Sequence, residues 1–126
     1  MEKVIAVYTA TRSEYGLLSP IIDAINNHPK LEYQIIVTGS HLSSSYGNTI
    51  LEIENDGFEV SAQFEIPEID RNSKINICMS VIFDELYKSF QILNPDMLVV
   101  LGDRFETFAA AQSAFFSNIP VVHVHG

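Results

Sequence analysis

The sequence predicts an α/β fold, a doubly wound parallel sheet of Rossmann-like type with helices on both faces. Three observations predict it. Short β-rich apolar runs alternate with stretches of helical periodicity along all 126 residues. One run, Met97-Leu98-Val99-Val100-Leu101, is apolar without alternation, as befits a strand covered on both faces. Polar residues of unusual type gather directly after the apolar runs, where ligands bind in open parallel sheets.

Strands are expected at Lys3 to Tyr8, Tyr33 to Thr38, Phe58 to Phe64, Asp96 to Leu101 and Pro120 to His125. Pro120 is tolerated at the start of its strand, where a missing N–H matters least. Leu17, Leu18, Ile21, Ile22 and Ile25 recur at helical spacing between the first two strands. Ser19-Pro20 supplies an N-cap and first-turn pair, so regular helix is expected to begin there, after a looser turn over Glu14 to Leu18. The alternative is one longer helix kinked at Pro20. A second helix is expected from about Asn48 to Asn55, stopped by Asp56-Gly57. The serines and Tyr46-Gly47 before it read as a mobile loop that could cover a ligand. Ile75, Met79, Ile82, Leu86, Phe90 and Leu93 form the apolar stripe of the longest helix, which Asn94-Pro95 ends. A fourth helix carries Phe105, Phe108, Ala109, Gln112, Phe115 and Phe116, and its Ala109-Ala110-Ala111 permits close approach to the sheet. Glu65 to Ser73 reads as a loop. No repeat or linker divides the chain, so residues 1–126 form one domain.

Composition narrows the function. Seven basic residues against sixteen acidic give a formal charge of −9, a field that repels nucleic-acid phosphates. The lone cysteine, Cys78, excludes a disulfide framework or a cysteine-based zinc site within these residues, and its apolar neighbours point to a buried structural thiol. The N-terminus lacks the pattern of a signal peptide, and no apolar run approaches a membrane span, so a soluble cytoplasmic protein is expected. The sequence ends at His125-Gly126, where a predicted strand reaches its ligand-binding end, which suggests a fragment of a longer enzyme.

The candidate chemistry lies in three loops and the last strand. Arg12, between the first strand and its helix, suits a phosphate or carboxylate beside free helix-start N–H groups, or is simply a solvated arginine. Neither a G-x-G-x-x-G fingerprint nor a Walker A sequence occurs. Asp103 opens a helix after a wholly apolar strand and reads as its N-cap, a role compatible with acting as a base. Arg104 can pair with Asp103 or Glu106, or hold an anionic substrate. His123 and His125 face one side of their strand, structural or substrate-binding rather than metal ligands, and His125 at the tip is better placed for chemistry. His41 lies in a Thr-Gly-Ser-His turn and is a possible ligand contact.

Together these words resemble a known family. Thr9-Ala10-Thr11-Arg12-Ser13-Glu14-Tyr15-Gly16-Leu17-Leu18 is similar to the opening Thr-Gly-Thr-Arg-Ala-Asp/Glu-Tyr-Gly signature of hydrolysing UDP-N-acetylglucosamine 2-epimerases of the sialic-acid-pathway type. Thr38-Gly39-Ser40-His41-Leu42 with Tyr46-Gly47 resembles the family's second loop. Gly102-Asp103-Arg104-Phe105-Glu106, Asn118-Ile119-Pro120 and His123-Val124-His125-Gly126 resemble its central segments, in the same order.

The resemblance implies the amino-terminal half of a two-domain, glycosyltransferase-B-like enzyme whose UDP-binding half is missing, inactive alone and a homodimer when full length. It implies a UDP-sugar substrate, with neither metal nor nicotinamide cofactor. It casts Asp103 as the leading acid/base residue, His125 as the second where some relatives have glutamate, and Arg12, Arg104 and His41 as substrate-binding. The implied reaction eliminates UDP and hydrates the glycal to N-acetylmannosamine. The alternatives are the same reaction on a UDP-2,4-diacetamido-2,4,6-trideoxyhexose, a glycosyltransferase-B-type sugar transferase, or a non-catalytic sugar-nucleotide-binding module. A phosphoacceptor receiver domain is excluded, because the strand ends hold Thr9 to Arg12, Phe64-Glu65 and His125-Gly126 where that chemistry needs acids and a lysine.

Overall fold

The computed structural model describes residues 2–40, 44–67 and 75–125. Nine elements run in the order β1 (Lys3–Thr9), α1 (Arg12–Asn27), β2 (Leu31–Ser40), α2 (Ser44–Asn55), β3 (Ala62–Ile66), α3 (Ile75–Leu93), β4 (Met97–Leu101), α4 (Phe105–Phe116) and β5 (Val121–Val124). The five strands form one sheet in the order β3-β2-β1-β4-β5, and every neighbouring pair is parallel. The expected doubly wound sheet is therefore present.

Each strand sends alternate residues to two cores. Ile5, Val7, Ile35, Val37, Val99 and Leu101 face α1 and α2, where Tyr15, Leu18, Ile22 and Ile53 meet them. Ala6, Tyr8, Ile36, Leu98 and Val100 face α3 and α4, where Ile82, Leu86, Phe90, Ala109, Ala110 and Ala114 meet them. Because both faces are buried, these strands read as continuous apolar runs. Cys78 lies in the α3 layer, fully buried, and its thiol donates to the Pro67 carbonyl at 3.1 Å.

Several expected boundaries shift for physical reasons. α1 does not start at Ser19-Pro20. It starts at Arg12 and carries Pro20 in its interior, because Thr11 caps it by accepting the Glu14 N–H. Pro20 cannot donate to the Gly16 carbonyl four residues back, and the Ser19 hydroxyl donates there instead at 3.3 Å. α2 begins four residues before the expected Asn48, so Ser44 to Gly47 belong to a helix rather than to a loop. β3 starts at Ala62; Phe58, expected in the strand, packs into the core beneath Tyr33 before pairing begins. Gly57, with φ of +88°, ends α2, and Asn94, with φ of +52°, ends α3 just before Pro95.

The α4 aromatics also behave differently from the core stripe of α3. Ala109, Ala110, Ser113 and Ala114 are buried, with the Ser113 hydroxyl donating to the Phe83 carbonyl of α3, while Phe108, Phe115 and Phe116 are exposed. Of the expected Glu65 to Ser73 loop, Glu65 and Ile66 continue β3, and residues 68–73 lie outside those described. Among the described residues no helix is long and apolar enough to cross a membrane.

Restoring a backbone donor inside α1 should strengthen that helix. Pro20→Ala is expected to stabilise the protein by about 1–3 kcal/mol, read as a higher Tm in thermal unfolding. An unchanged or lower Tm would mean that the proline ring fits this turn without strain.

Candidate functional site

The carboxyl ends of the strands line one rim, and the strand order decides which loops meet there. The loop after β1 (Ala10 and Thr11) stands between the end of β2 and the loop after β4 (Gly102 to Arg104), with the tip of β5 beyond. Successive strands are spaced about 4.8 Å apart, so these loops are direct neighbours. The reversal of winding falls between β1 and β4, the position at which open α/β sheets bind ligands.

Short-range bonds hold the first loop. The Thr9 hydroxyl donates to the Thr11 carbonyl at 3.0 Å, and the Thr11 hydroxyl accepts the Glu14 N–H at 3.1 Å. The Glu14 carboxylate accepts the Ala10 N–H at 2.9 Å. This is a capping box whose return bond reaches one residue further back than usual. Arg12 is the first helical residue, and its Nε donates to Glu52 of α2 at 2.9 Å. Both partners are substantially exposed, so the pair contributes at most about 1 kcal/mol and can yield to a stronger anion.

Gly102 shapes the fourth loop. With φ of +88° it turns the chain sharply out of β4, a conformation that favours glycine. The next residue, Asp103, is exposed, and among the described residues no hydrogen bond or ion pair engages its carboxylate. The expected capping role therefore falls away. Arg104 occupies the N-cap position of α4 and makes no side-chain cap bond. Its guanidinium turns instead to Glu106, with Nε donating to one carboxylate oxygen at 3.0 Å and Nη2 to the other at 3.1 Å. Of its two expected partners, Glu106 is the one it takes.

β5 completes the rim. Leu101 of β4 pairs with Val124, and the Gly102 N–H donates to the Val124 carbonyl at 2.9 Å. The His123 ring is hydrogen-bonded to the Gly102 carbonyl, which ties β5 to the turn that presents Asp103. His125 departs from the expected strand position. It lies one residue past β5, exposed, with φ of +54°. Asp103 and His125 thus leave two paired strands at adjacent points.

The structure brings Asp103, Arg104 and His125 to the same part of the rim. It places Arg12 at the start of α1, with its side chain turned toward α2. His41 lies outside the described residues.

Two carboxylates that sequence reasoning left aside, Glu14 and Glu106, are buried at this rim, 7% and 4% exposed. Burial, the largest influence, pushes the Glu14 carboxyl up from its ordinary range. The Glu106 charge adds to that rise, while the Ala10 N–H and the Arg104 guanidinium oppose it. Burial also raises the phenol of Tyr8, with both glutamates contributing. Glu106 raises the Arg104 guanidinium, first by hydrogen bonding and then by its charge. The signal for Glu14 was present as Thr11-x-x-Glu14, the capping-box spacing. The signal for Glu106 was an acid in the first turn of a helix.

A parallel α/β domain with a polar rim at the winding reversal defines a class of open-sheet proteins that bind ligands at that rim. The chain belongs to the UDP-N-acetylglucosamine 2-epimerase family, whose model matches residues 23–126. It is 38% identical over 127 residues to the GDP/UDP-N,N'-diacetylbacillosamine 2-epimerase (hydrolyzing) of Campylobacter jejuni, covering 99% of this chain and 33% of that protein. It is 36% identical over 128 residues to the polysialic acid biosynthesis protein P7 of Escherichia coli, covering 100% of this chain and 32% of that protein. Among solved structures it is similar to the Methanocaldococcus jannaschii UDP-GlcNAc 2-epimerase in complex with UDP-GlcNAc and UDP. The TM-score is 0.80 and the identity 25%, over 98% of this chain and 32% of the other. The chain spans about a third of the length of these relatives.

Glu14 offers a direct electrostatic test. A carboxyl whose pKa is raised on folding binds its proton more tightly in the folded state than in the unfolded one. Stability then falls as pH rises from the unfolded value, about 4.3, through the folded value. Glu14→Gln keeps an acceptor for the Ala10 N–H and removes the charge. It is expected to raise Tm by a few degrees at pH 7, with the gain shrinking toward zero near pH 4. A gain independent of pH, or a loss at pH 7, would contradict the assignment of burial as the dominant cause.

Proposed function

We propose that this chain provides the amino-terminal, sugar-side domain of a hydrolysing UDP-N-acetylglucosamine 2-epimerase, with the UDP-binding half supplied by the rest of a longer protein. One observation carries the reading beyond family membership. An exposed, unengaged carboxylate, Asp103, stands on a glycine-turned loop at the winding reversal, beside His125 at the tip of the paired strand.

In this reading a base at the rim removes the proton from sugar C2. The C1–O bond breaks, and its electron pair leaves with UDP. The resulting glycal adds water across C1 and C2 to give N-acetylmannosamine. Asp103 is the leading acid/base residue and His125 the second, since a carboxylate and an imidazole can each exchange a proton near neutral pH. Arg104 and Arg12 bind the diphosphate, Arg12 by exchanging its exposed Glu52 pair for the stronger charge of the ligand. His41 belongs to the same substrate-binding set.

A second reading keeps the reaction and changes the sugar to a UDP-2,4-diacetamido-2,4,6-trideoxyhexose. The similarity to the Campylobacter jejuni enzyme, named for diacetylbacillosamine, favours it.

One assay separates the readings. The whole protein is incubated with UDP-N-acetylglucosamine and, in parallel, with the 2,4-diacetamido analogue, and UDP release is followed. Release from the first supports the main reading; release from the second alone selects the other. Asp103→Asn is expected to reduce UDP release by about 10²–10⁴-fold with Tm unchanged. Near-normal turnover in that variant would remove Asp103 from the chemistry.

A further inference from the structure

Glu14 and Glu106 are an unusual pair. Each is a carboxylate with less than a tenth of its surface exposed, and both lie at the carboxyl rim of the sheet. The Glu106 charge helps to raise the Glu14 carboxyl. Removing an ionised carboxylate from water is unfavourable by several kcal/mol unless it is paired and hydrogen-bonded. Glu106 is paired, with Arg104 in a two-bond fork. Glu14 has the Ala10 N–H and lies within electrostatic reach of the same guanidinium. The cation is thus bonded to a buried acid in the first turn of α4, with a second buried acid in the first turn of α1 within its electrostatic reach.

The geometry of the cation explains what the arrangement achieves. The Arg104 side chain is 59% exposed, while the Glu106 side chain beneath it is 6% exposed. An arginine on a surface normally samples many rotamers, and its ion pairs there are weak. Here Nε and Nη2 are both held from below by a rigid acceptor in the first turn of α4. A guanidinium carries five N–H donors. Two are used by Glu106, and among the described residues no other hydrogen bond engages the rest.

We propose that Glu106 is a positioning residue that fixes the plane of the Arg104 guanidinium from beneath. Arg104 thereby meets the substrate diphosphate preorganised. This inference rests on the reading of the site as a UDP-sugar site. Preorganisation raises affinity and rate by removing the ordering that a free arginine would undergo on binding.

The test is a double-mutant cycle in the whole protein, reading kcat and KM for UDP release and Tm for folding. Glu106→Gln is expected to lower kcat/KM by about 10–100-fold, a loss of about 1.4–2.7 kcal/mol. Arg104→Gln is expected to lower it at least as much. Glu106→Gln made on top of Arg104→Gln should add less than about 2-fold, because Glu106 acts through Arg104. Additive losses in the cycle, or full activity in Glu106→Gln, would overturn the inference while leaving the UDP-sugar reading intact. Absence of UDP release by the wild-type protein from either UDP-sugar would overturn that reading, and this inference with it.

Discussion

β1 and β4 are separated by most of the chain and are neighbours in the sheet, and the remaining features of the molecule depend on their pairing. Winding proceeds outward from β1 through β2 to β3, then returns past β1 to β4 and β5. Right-handed crossovers therefore place α1 and α2 on one face and α3 and α4 on the other, so both faces are buried. At the amino end the pair is sealed twice. Asp96 accepts the Val4 N–H through its side chain and donates its own N–H to the Val4 carbonyl, each at 2.8 Å. At the carboxyl end the same pairing puts the capped loop of Thr11 and Glu14 beside the loop of Asp103 and Arg104. The site is a consequence of topology before it is one of side chains.

That placement sets an electrostatic problem which the sequence solves only in part. Helix starts face the rim from both loops, and acids in their first turns are favoured there by the helix dipole. Glu14 and Glu106 occupy such positions, yet both are buried, both help to raise the Tyr8 phenol, and Arg104 is bonded to Glu106. The residual tension falls where a ligand with its own negative charge would compete for Arg104. Unfavourable burial concentrated at a cleft is a common mark of functional sites, and here it coincides with the family's similarity to enzymes of UDP-sugars.

Much of this was legible in the sequence because burial on both faces leaves a plain signature. Met97 to Leu101 had no polar alternation and proved to be a central strand. The α3 stripe announced the buried face of Ile82, Leu86 and Phe90, with Cys78 on it, while Ile75 at its start is exposed. The start of α1 was not legible from Pro20, because a proline inside a helix looks like a helix start. Only the hydroxyl of Ser19, serving the carbonyl that Pro20 cannot, reconciles the two. The α4 aromatics misled in another way. Small residues, not large ones, meet the sheet, so Ala109 and Ala110 marked the buried face and Phe115 and Phe116 the open one. At the site, Asp103 looked like a cap because an aspartate after a strand and before a helix usually is one. The positive φ of Gly102 swings it clear of that role. The partner of Arg104 depended on a contact between residues two apart that only the turn geometry could decide.

The proposed UDP-sugar would be received at the rim formed by the β1 and β4 loops. Amide hydrogen exchange on the whole protein, with and without saturating UDP-N-acetylglucosamine, reads that placement residue by residue. Slowed exchange is expected in residues 9–14 and 102–106 together, with no change at the opposite edge of the sheet around Leu31 to Gln34 and Glu59. Protection confined to that opposite edge, or missing from both loops despite demonstrated binding, would contradict it.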